Sequence, residues 1–224
     1  ALLERMGLGL ALDDDSLPHM AIGLGRFEGE EVRVARVSFT GERGYELSIR
    51  ADRAPSLWMA LRHEGKAFDA ALMGLEALTI LRAEKGYVII GKDTDGLTRP
   101  MDLGVDGPLR NKKTEFIGKR SLMTEDARRG DRRQLVGLDV LDNEGPLAMG
   151  AHGVEPCSGK SRSIGYVTSS YPSPTLGRPI ALALIERGAC RLGEIIDVRH
   201  FGAIRKARIA EPCAFDKEGL RLHA

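Results

Sequence analysis

The stretch Arg36-Val-Ser-Phe-Thr-Gly-Glu-Arg-Gly-Tyr-Glu46-Leu-Ser-Ile49 reads as strand, tight turn, strand. Val32, Val34, Val37 and Phe39 supply β-favouring side chains before the turn. Gly41 and Gly44 flank Glu42-Arg43 and permit the positive φ angles that a short hairpin loop needs. On the return strand, Tyr45, Leu47 and Ile49 share one face, and Glu46, Ser48 and Arg50 share the other. Glu46 therefore stands opposite the apolar set. A carboxylate fixed on a rigid strand can accept paired N–H donors from a flat, nitrogen-rich ring. The same pattern describes an ordinary solvated surface acid, and pattern alone leaves both readings open.

Outward from the hairpin, the first half of the chain alternates helix and strand. Leu2 to Met6 reads as helical, and Asp13-Asp14-Asp15-Ser16 with Pro18 reads as a loop. The chain opens at Ala1 without an initiator Met or a signal peptide, which points to a piece of a longer protein. Ala54-Pro55-Ser56 opens a helix with Pro in its first turn, and that helix stops by Gly65. A second helix carries Leu72, Leu75, Leu78 and Leu81, a wide apolar stripe expected to lie against a sheet. Lys85-Gly86 ends it, and Tyr87–Ile90 reads as a short strand. Asp93-Thr94-Asp95-Gly96 hints at a calcium loop, but the closing bidentate Glu would fall at Gly104, so it reads as a turn. Lys112 to Arg133 is strongly basic and reads as a solvated helix and linker, with the domain boundary inside it. Beyond it, Gln134–Val140, Arg162–Ser169, Pro179–Ile185, Glu194–Arg199 and Ala203–Ile209 read as short strands of a barrel or sandwich. Tyr171-Pro-Ser-Pro174 reads as a stiff loop between two of them.

At 224 residues the chain can bury a real core. An apolar fraction of 42% and a charged fraction of 29% are those of an ordinary globular protein. The net charge of +1 argues against nucleic acid or a membrane surface as the main partner, since both need a dominant basic field. No apolar run reaches the roughly 18 residues of a membrane span. Cys157, Cys190 and Cys213 form no CxxC pair and read as buried, inert thiols in a reducing cytoplasm. No two of the five histidines stand at i, i+4, so no helical metal site is indicated. No glycine-rich phosphate loop and no G-x-S-x-G elbow occurs. Residue chemistry thus gives an α+β protein with an attached β domain, no metal site and no self-evident catalytic group.

Several stretches, in order, carry a resemblance. Ser38-Phe-Thr-Gly-Glu-Arg-Gly-Tyr-Glu-Leu resembles the folate-site hairpin of the glycine-cleavage T-protein (aminomethyltransferase) superfamily. Leu81-Arg-Ala-Glu-Lys-Gly-Tyr, Gly91-Lys-Asp-Thr-Asp-Gly and Pro100 resemble the helix and loop that follow. Phe116-Ile-Gly-Lys-Arg-Ser-Leu, Gln134-Leu-Val-Gly-Leu, Ser163-Ile-Gly-Tyr-Val-Thr-Ser-Ser-Tyr and Leu176-Gly-Arg-Pro-Ile-Ala-Leu-Ala complete the pattern. The wording of the middle stretches leans towards the alpha subunits of heterotetrameric sarcosine oxidases. The resemblance implies a helix-on-antiparallel-sheet folate-binding domain over residues 1–125, lacking its N-terminal part, and a small C-terminal β-barrel over residues 133–224. It implies tetrahydrofolate as cofactor, with flavin and NAD held elsewhere in the parent complex, and other subunits of a hetero-oligomeric oxidase as partners. It makes Glu46 the pterin-gripping acid and Phe39 a wall of the ring site, with Lys112 and Lys113 lesser candidates for the glutamate tail. Leu78, Gly107 and Phe215 stand where relatives carry Arg, Trp and Tyr. The family's essential aspartate would fall before Ala1, so this chain would carry no catalytic residue of its own. A scaffold that kept the fold and lost the ligand is the alternative those substitutions motivate.

Overall fold

A computed structural model describes residues 1–142 and 144–223. The chain forms two compact units, residues 1–78 with 218–224 and residues 79–217.

The first unit holds α1 (Leu2–Arg5), a three-stranded antiparallel sheet and α2 (Ala54–Gly65). The strands are β1 (Ile22–Phe27), β2 (Glu30–Ala35) and β3 (Glu46–Ser48), in spatial order β1-β2-β3. The sequence reading missed β1. Its link to β2 is the two-residue turn Glu28-Gly29, with φ of 49° and 83°. Both values are positive, as a hairpin turn that follows the twist of its strands requires. Val32 and Val34 point inward and are fully buried beside Leu3, Leu8, Leu12 and Leu17. Tyr45, Leu47 and Ile49 pack against the same core, while Glu46 and Ser48 are exposed. The alternation expected for the return strand is therefore present.

The tight turn is not. Strand β2 ends at Ala35, and residues 36–45 form a loop. Arg36, the first residue of that loop, keeps the inward parity of Val32 and Val34 and is 1% exposed. A buried guanidinium needs polar partners, and it finds them around the loop.

The second unit contains a closed antiparallel barrel in the order β4-β7-β6-β5-β8-β9. Its strands are β4 (Arg133–Val140), β5 (His152–Cys157), β6 (Lys160–Ser173), β7 (Arg178–Glu186), β8 (Ile195–His200) and β9 (Ala203–Ala210). Val136, Leu138, Ile164, Val167, Ile185, Val198 and Ile209 fill its core. Closure removes the exposed edges that a small open sheet would present. The sequence reading missed β5, whose Gly153 and Pro156 weaken the strand signal. Tyr171 to Ser173 is not a loop but the end of β6, where Pro172 faces Pro179 and neither needs a ladder N–H.

Helix α3 (Leu75–Lys85) runs across the junction at residues 78 and 79. It starts later than the leucine spacing suggests, and Leu72 and Leu75 are 66% and 79% exposed. The residues it buries are Arg82, Ala83, Glu84 and Lys85. Its end does follow the expected glycine rule. Gly86 has φ 78°, its N–H donates to Ala83, and the Tyr87 N–H donates to Arg82, giving the paired bonds of a Schellman motif. Residues 87–90 are irregular rather than a strand. The Tyr87 N–H is spent on that cap and the Ile89 N–H on Asp93, so neither serves a sheet. The basic stretch forms only the short turns Arg120–Met123 and Asp126–Arg128 besides α4 (Gly107–Arg110) upstream of it. Cys157 and Cys190 are exposed and Cys213 is half-buried, which corrects the expectation of buried thiols; all are free.

Candidate functional site

The loop that delivers Glu46 is braced from behind. The Arg36 guanidinium donates to the Leu17 carbonyl at 2.9 Å and the Leu222 carbonyl at 3.2 Å, and it pairs with Asp14 at 2.7 Å. Arg43 pairs with the same Asp14 at 3.0 Å and donates to the Leu12 carbonyl at 3.0 Å and to the Tyr45 hydroxyl at 3.2 Å. The hydrogen bond from Arg36 holds the Asp14 carboxyl below the usual range. Ser38 and Thr40 cap the loop from inside by accepting the Gly41 and Glu42 N–H groups. Sequence reasoning did not find this brace. Its signal was available: an arginine on the inward parity of a strand must have an acid or carbonyls waiting, and the run Asp13-Asp14-Asp15 supplies one.

The Glu46 side chain is exposed and makes no hydrogen bond or ion pair with any described residue. It stands at the start of β3, paired in register with Ala35. Phe39 is half-buried in the bracing loop. A cavity of about 740 Å³ lies in this unit, lined by Leu2, Leu12, Asp14, Arg43, Tyr45 and Leu47 among others. Tyr45 and Leu47 belong to the face of β3 opposite Glu46, so this cavity opens behind the acid, and neither Glu46 nor Phe39 lines it. The Glu46 side chain stands on the exposed face of the sheet.

An unengaged carboxylate on a fixed strand is an acceptor that suits two adjacent N–H donors on one edge of a planar group. No wall of a closed pocket accompanies it among the described residues nearest to it in register.

The second unit holds a different carboxylate. Asp93 is fully buried. It accepts from the Arg82 guanidinium, the Ile89 N–H at 2.9 Å, the Thr168 hydroxyl at 2.6 Å and the Ser169 hydroxyl at 2.7 Å. Burial alone would push its carboxyl up; the Thr168, Ile89 and Ser169 donors and the Arg82 charge outweigh it, and the net direction is down. Arg82 also donates to Ser169 at 2.6 Å, and Lys92 donates to the Tyr171 hydroxyl at 2.5 Å. Glu84 accepts from Ser173 at 2.5 Å and Thr175 at 2.9 Å, and Lys85 pairs with Asp216. Every charge in Arg82-Ala-Glu-Lys85 is thus committed to the fold. The turn expected at Asp93 exists, but its first acid is a buried hub. Ser169 and Ser170 serve as strand hydrogen-bonding groups, Ser170 donating to the Ile180 carbonyl at 2.8 Å.

Among the described residues no cluster of three or more His, Cys, Asp or Glu side chains is placed to hold a metal ion. No helix of the described residues is long and apolar enough to cross a membrane. Lys112 and Lys113 are exposed, Lys112 lying 5.2 Å from the centre of the Phe116 ring. Phe215 donates its N–H to the Glu84 carbonyl at 3.0 Å.

Residues 1–113 match the GCVT N-terminal domain, and residues 133–216 match the glycine cleavage T-protein C-terminal barrel domain. The chain belongs to the glycine cleavage T-protein family. Within that family it is similar to the sarcosine oxidase subunit alpha of Corynebacterium sp. (strain P-1), at 36% identity over 98% of this chain and 23% of the relative. It is also similar to the aminomethyltransferase of Halothermothrix orenii, at 35% identity over 88% of this chain and 53% of the relative. The chain therefore spans about a quarter of the first relative and about half of the second. The crystal structure of the glycine cleavage system aminomethyltransferase T from Bartonella henselae superposes with a TM-score of 0.78 at 23% identity, over 96% of this chain and 56% of that one. That likeness shows the fold, a T-protein mixture of helix and sheet with a terminal antiparallel barrel.

Proposed function

We propose that this chain is the tetrahydrofolate-binding portion of a sarcosine oxidase alpha subunit, where the one-carbon unit from sarcosine demethylation is captured as 5,10-methylenetetrahydrofolate. The observation that carries the reading is the Glu46 carboxylate, held outward by strand register and bound to nothing else in the described structure. Its family position supplies the ligand, and the 36% identity across 98% of the chain favours the oxidase branch. Tetrahydrofolate, when bound, supplies the amine nitrogens that take up a one-carbon unit. Glu46 accepts the N–H groups of the pterin edge, and Phe39 forms a side wall of the ring site. Lys112 and Lys113 offer charge to the glutamate tail, a weaker role for exposed lysines.

Residues 1–125 form the folate-type domain in this reading and residues 133–224 the barrel. The chain contributes no catalytic residue of its own, and flavin and NAD belong to other parts of a cytoplasmic, multi-subunit oxidase. The second reading is an aminomethyltransferase of glycine cleavage, motivated by the 35% identity to the Halothermothrix relative. Calorimetric titration of 5-formyltetrahydrofolate into the natural full-length protein tests the site. Loss of a charged hydrogen-bond partner costs about 1.5–3 kcal/mol, so Glu46→Gln is expected to weaken binding by about tenfold to a hundredfold. Equal affinity in both proteins would remove Glu46 from the site.

A further inference from the structure

The outward face of the three-stranded sheet carries more than its acid. Ile22 pairs with Ala35 and Ala35 pairs with Glu46, so these three side chains form one row across the strands. Leu24, Arg33 and Ser48 form the next row. Adjacent strands lie about 4.8 Å apart, which puts Ile22 and Glu46 about 9.5 Å apart with only a methyl group between them. Ile22 is 63% exposed and Leu24 58%. The row is therefore a shallow seat with an apolar flank, a low floor and a carboxylate flank. Arg33 lies on the diagonal from Glu46, within reach of a long side chain, yet forms no ion pair with it or with any other described acid. The acid is left un-neutralised beside apolar surface, an arrangement whose complement is a flat ring with N–H donors along one edge.

We propose that Ala35, with Ile22 on its flank, is the seat on which the pterin ring lies, its donor edge turned to Glu46; this rests on the reading of Glu46 given above. The small side chain at 35 is then a specificity determinant. A larger one would occupy the volume of the ring while leaving the acid untouched. The ring face covers the Ala35 methyl and the Ile22 side chain, removing apolar surface from water, and the carboxylate fixes its orientation.

The test uses 5-formyltetrahydrofolate and the natural full-length protein, with Ala35→Leu, Ala35→Gly, Ile22→Ser and Glu46→Gln measured side by side, and the ligand-free melting temperature as a folding control. Filling the seat is expected to weaken binding by about tenfold or more, and Ile22→Ser by a smaller factor. Ala35→Gly, which leaves the seat open and removes only the methyl, is expected to weaken binding far less than Ala35→Leu does. Ala35→Leu and Ile22→Ser binding normally while Glu46→Gln binds weakly would overturn the seat and leave the acid's role standing. Glu46→Gln binding normally would overturn both. Should Ala35→Leu fail to fold, Ile22→Ser decides the matter, because that position is exposed.

Discussion

Glu46 and Asp93 are side-chain carboxylates in the two units of one chain, and they are held in opposite ways. Asp93 is fully buried and receives four donors, two on each oxygen. Glu46 is exposed on a strand and receives none from the described residues. A buried carboxylate would be costly without those donors, so the Asp93 oxygens are spent on partners within their own unit. An exposed carboxylate costs the fold nothing, and its hydrogen-bonding capacity remains for a ligand. The contrast sets the strongly polar helix end Arg82–Lys85, whose charges are spent within the fold, against the bare acid on the small sheet, which is the proposed ligand contact.

The contrast can be broken most forcefully at Asp93. Asp93→Ala leaves the Arg82 guanidinium buried without its counter-charge, and a loss of about 3–5 kcal/mol is expected in urea unfolding. A loss below about 1 kcal/mol, the size of an ordinary surface change, would mean the hub is not doing what its geometry says. Gly86→Ala strikes the same region through the backbone. A Cβ there would sit 2.7 Å from the Pro212 carbonyl at φ 78°, so the helix end that aims Arg82 must shift. The expected cost exceeds about 1 kcal/mol, again by urea midpoint.

The pH dependence sharpens the comparison further. The folded Asp93 carboxyl is held below its unfolded value. Its stabilisation is therefore fully present above the unfolded value of about 3.9 and is lost as pH falls through the folded one. Urea midpoints of the wild type should fall below about pH 4, and Asp93→Asn, already destabilised, should show a shallower acid slope. At the other acid the expected effect on folding is smallest. Glu46→Gln should change stability by no more than about 0.5 kcal/mol, as befits an unpartnered surface group.

How much of this was legible in the sequence differs between the two acids for a physical reason. Glu46 could be placed because strand parity is local: Tyr45, Leu47 and Ile49 fixed its face, and the structure keeps that face despite the longer loop. The barrel strands were likewise readable from β-branched runs, except β5, where Gly153 and Pro156 masked the signal. Asp93 reads in the sequence as no more than a turn acid, because its partners Thr168 and Ser169 lie more than seventy residues downstream. The same distance hid the burial of Arg82, Glu84 and Lys85, and made α3 look like a leucine-faced helix. Arg36 shares the inward parity of Val32 and Val34, and an arginine at such a position demands an acid or carbonyls, so its brace is legible in the sequence even though the partners Leu17 and Leu222 are not.

The most direct test of the account compares melting temperatures of the natural full-length protein and its Glu46→Gln variant, each with and without saturating 5-formyltetrahydrofolate. The account predicts equal melting temperatures without ligand, and a ligand-induced rise in the wild type that is largely lost in the variant. An equal rise in both proteins would contradict it.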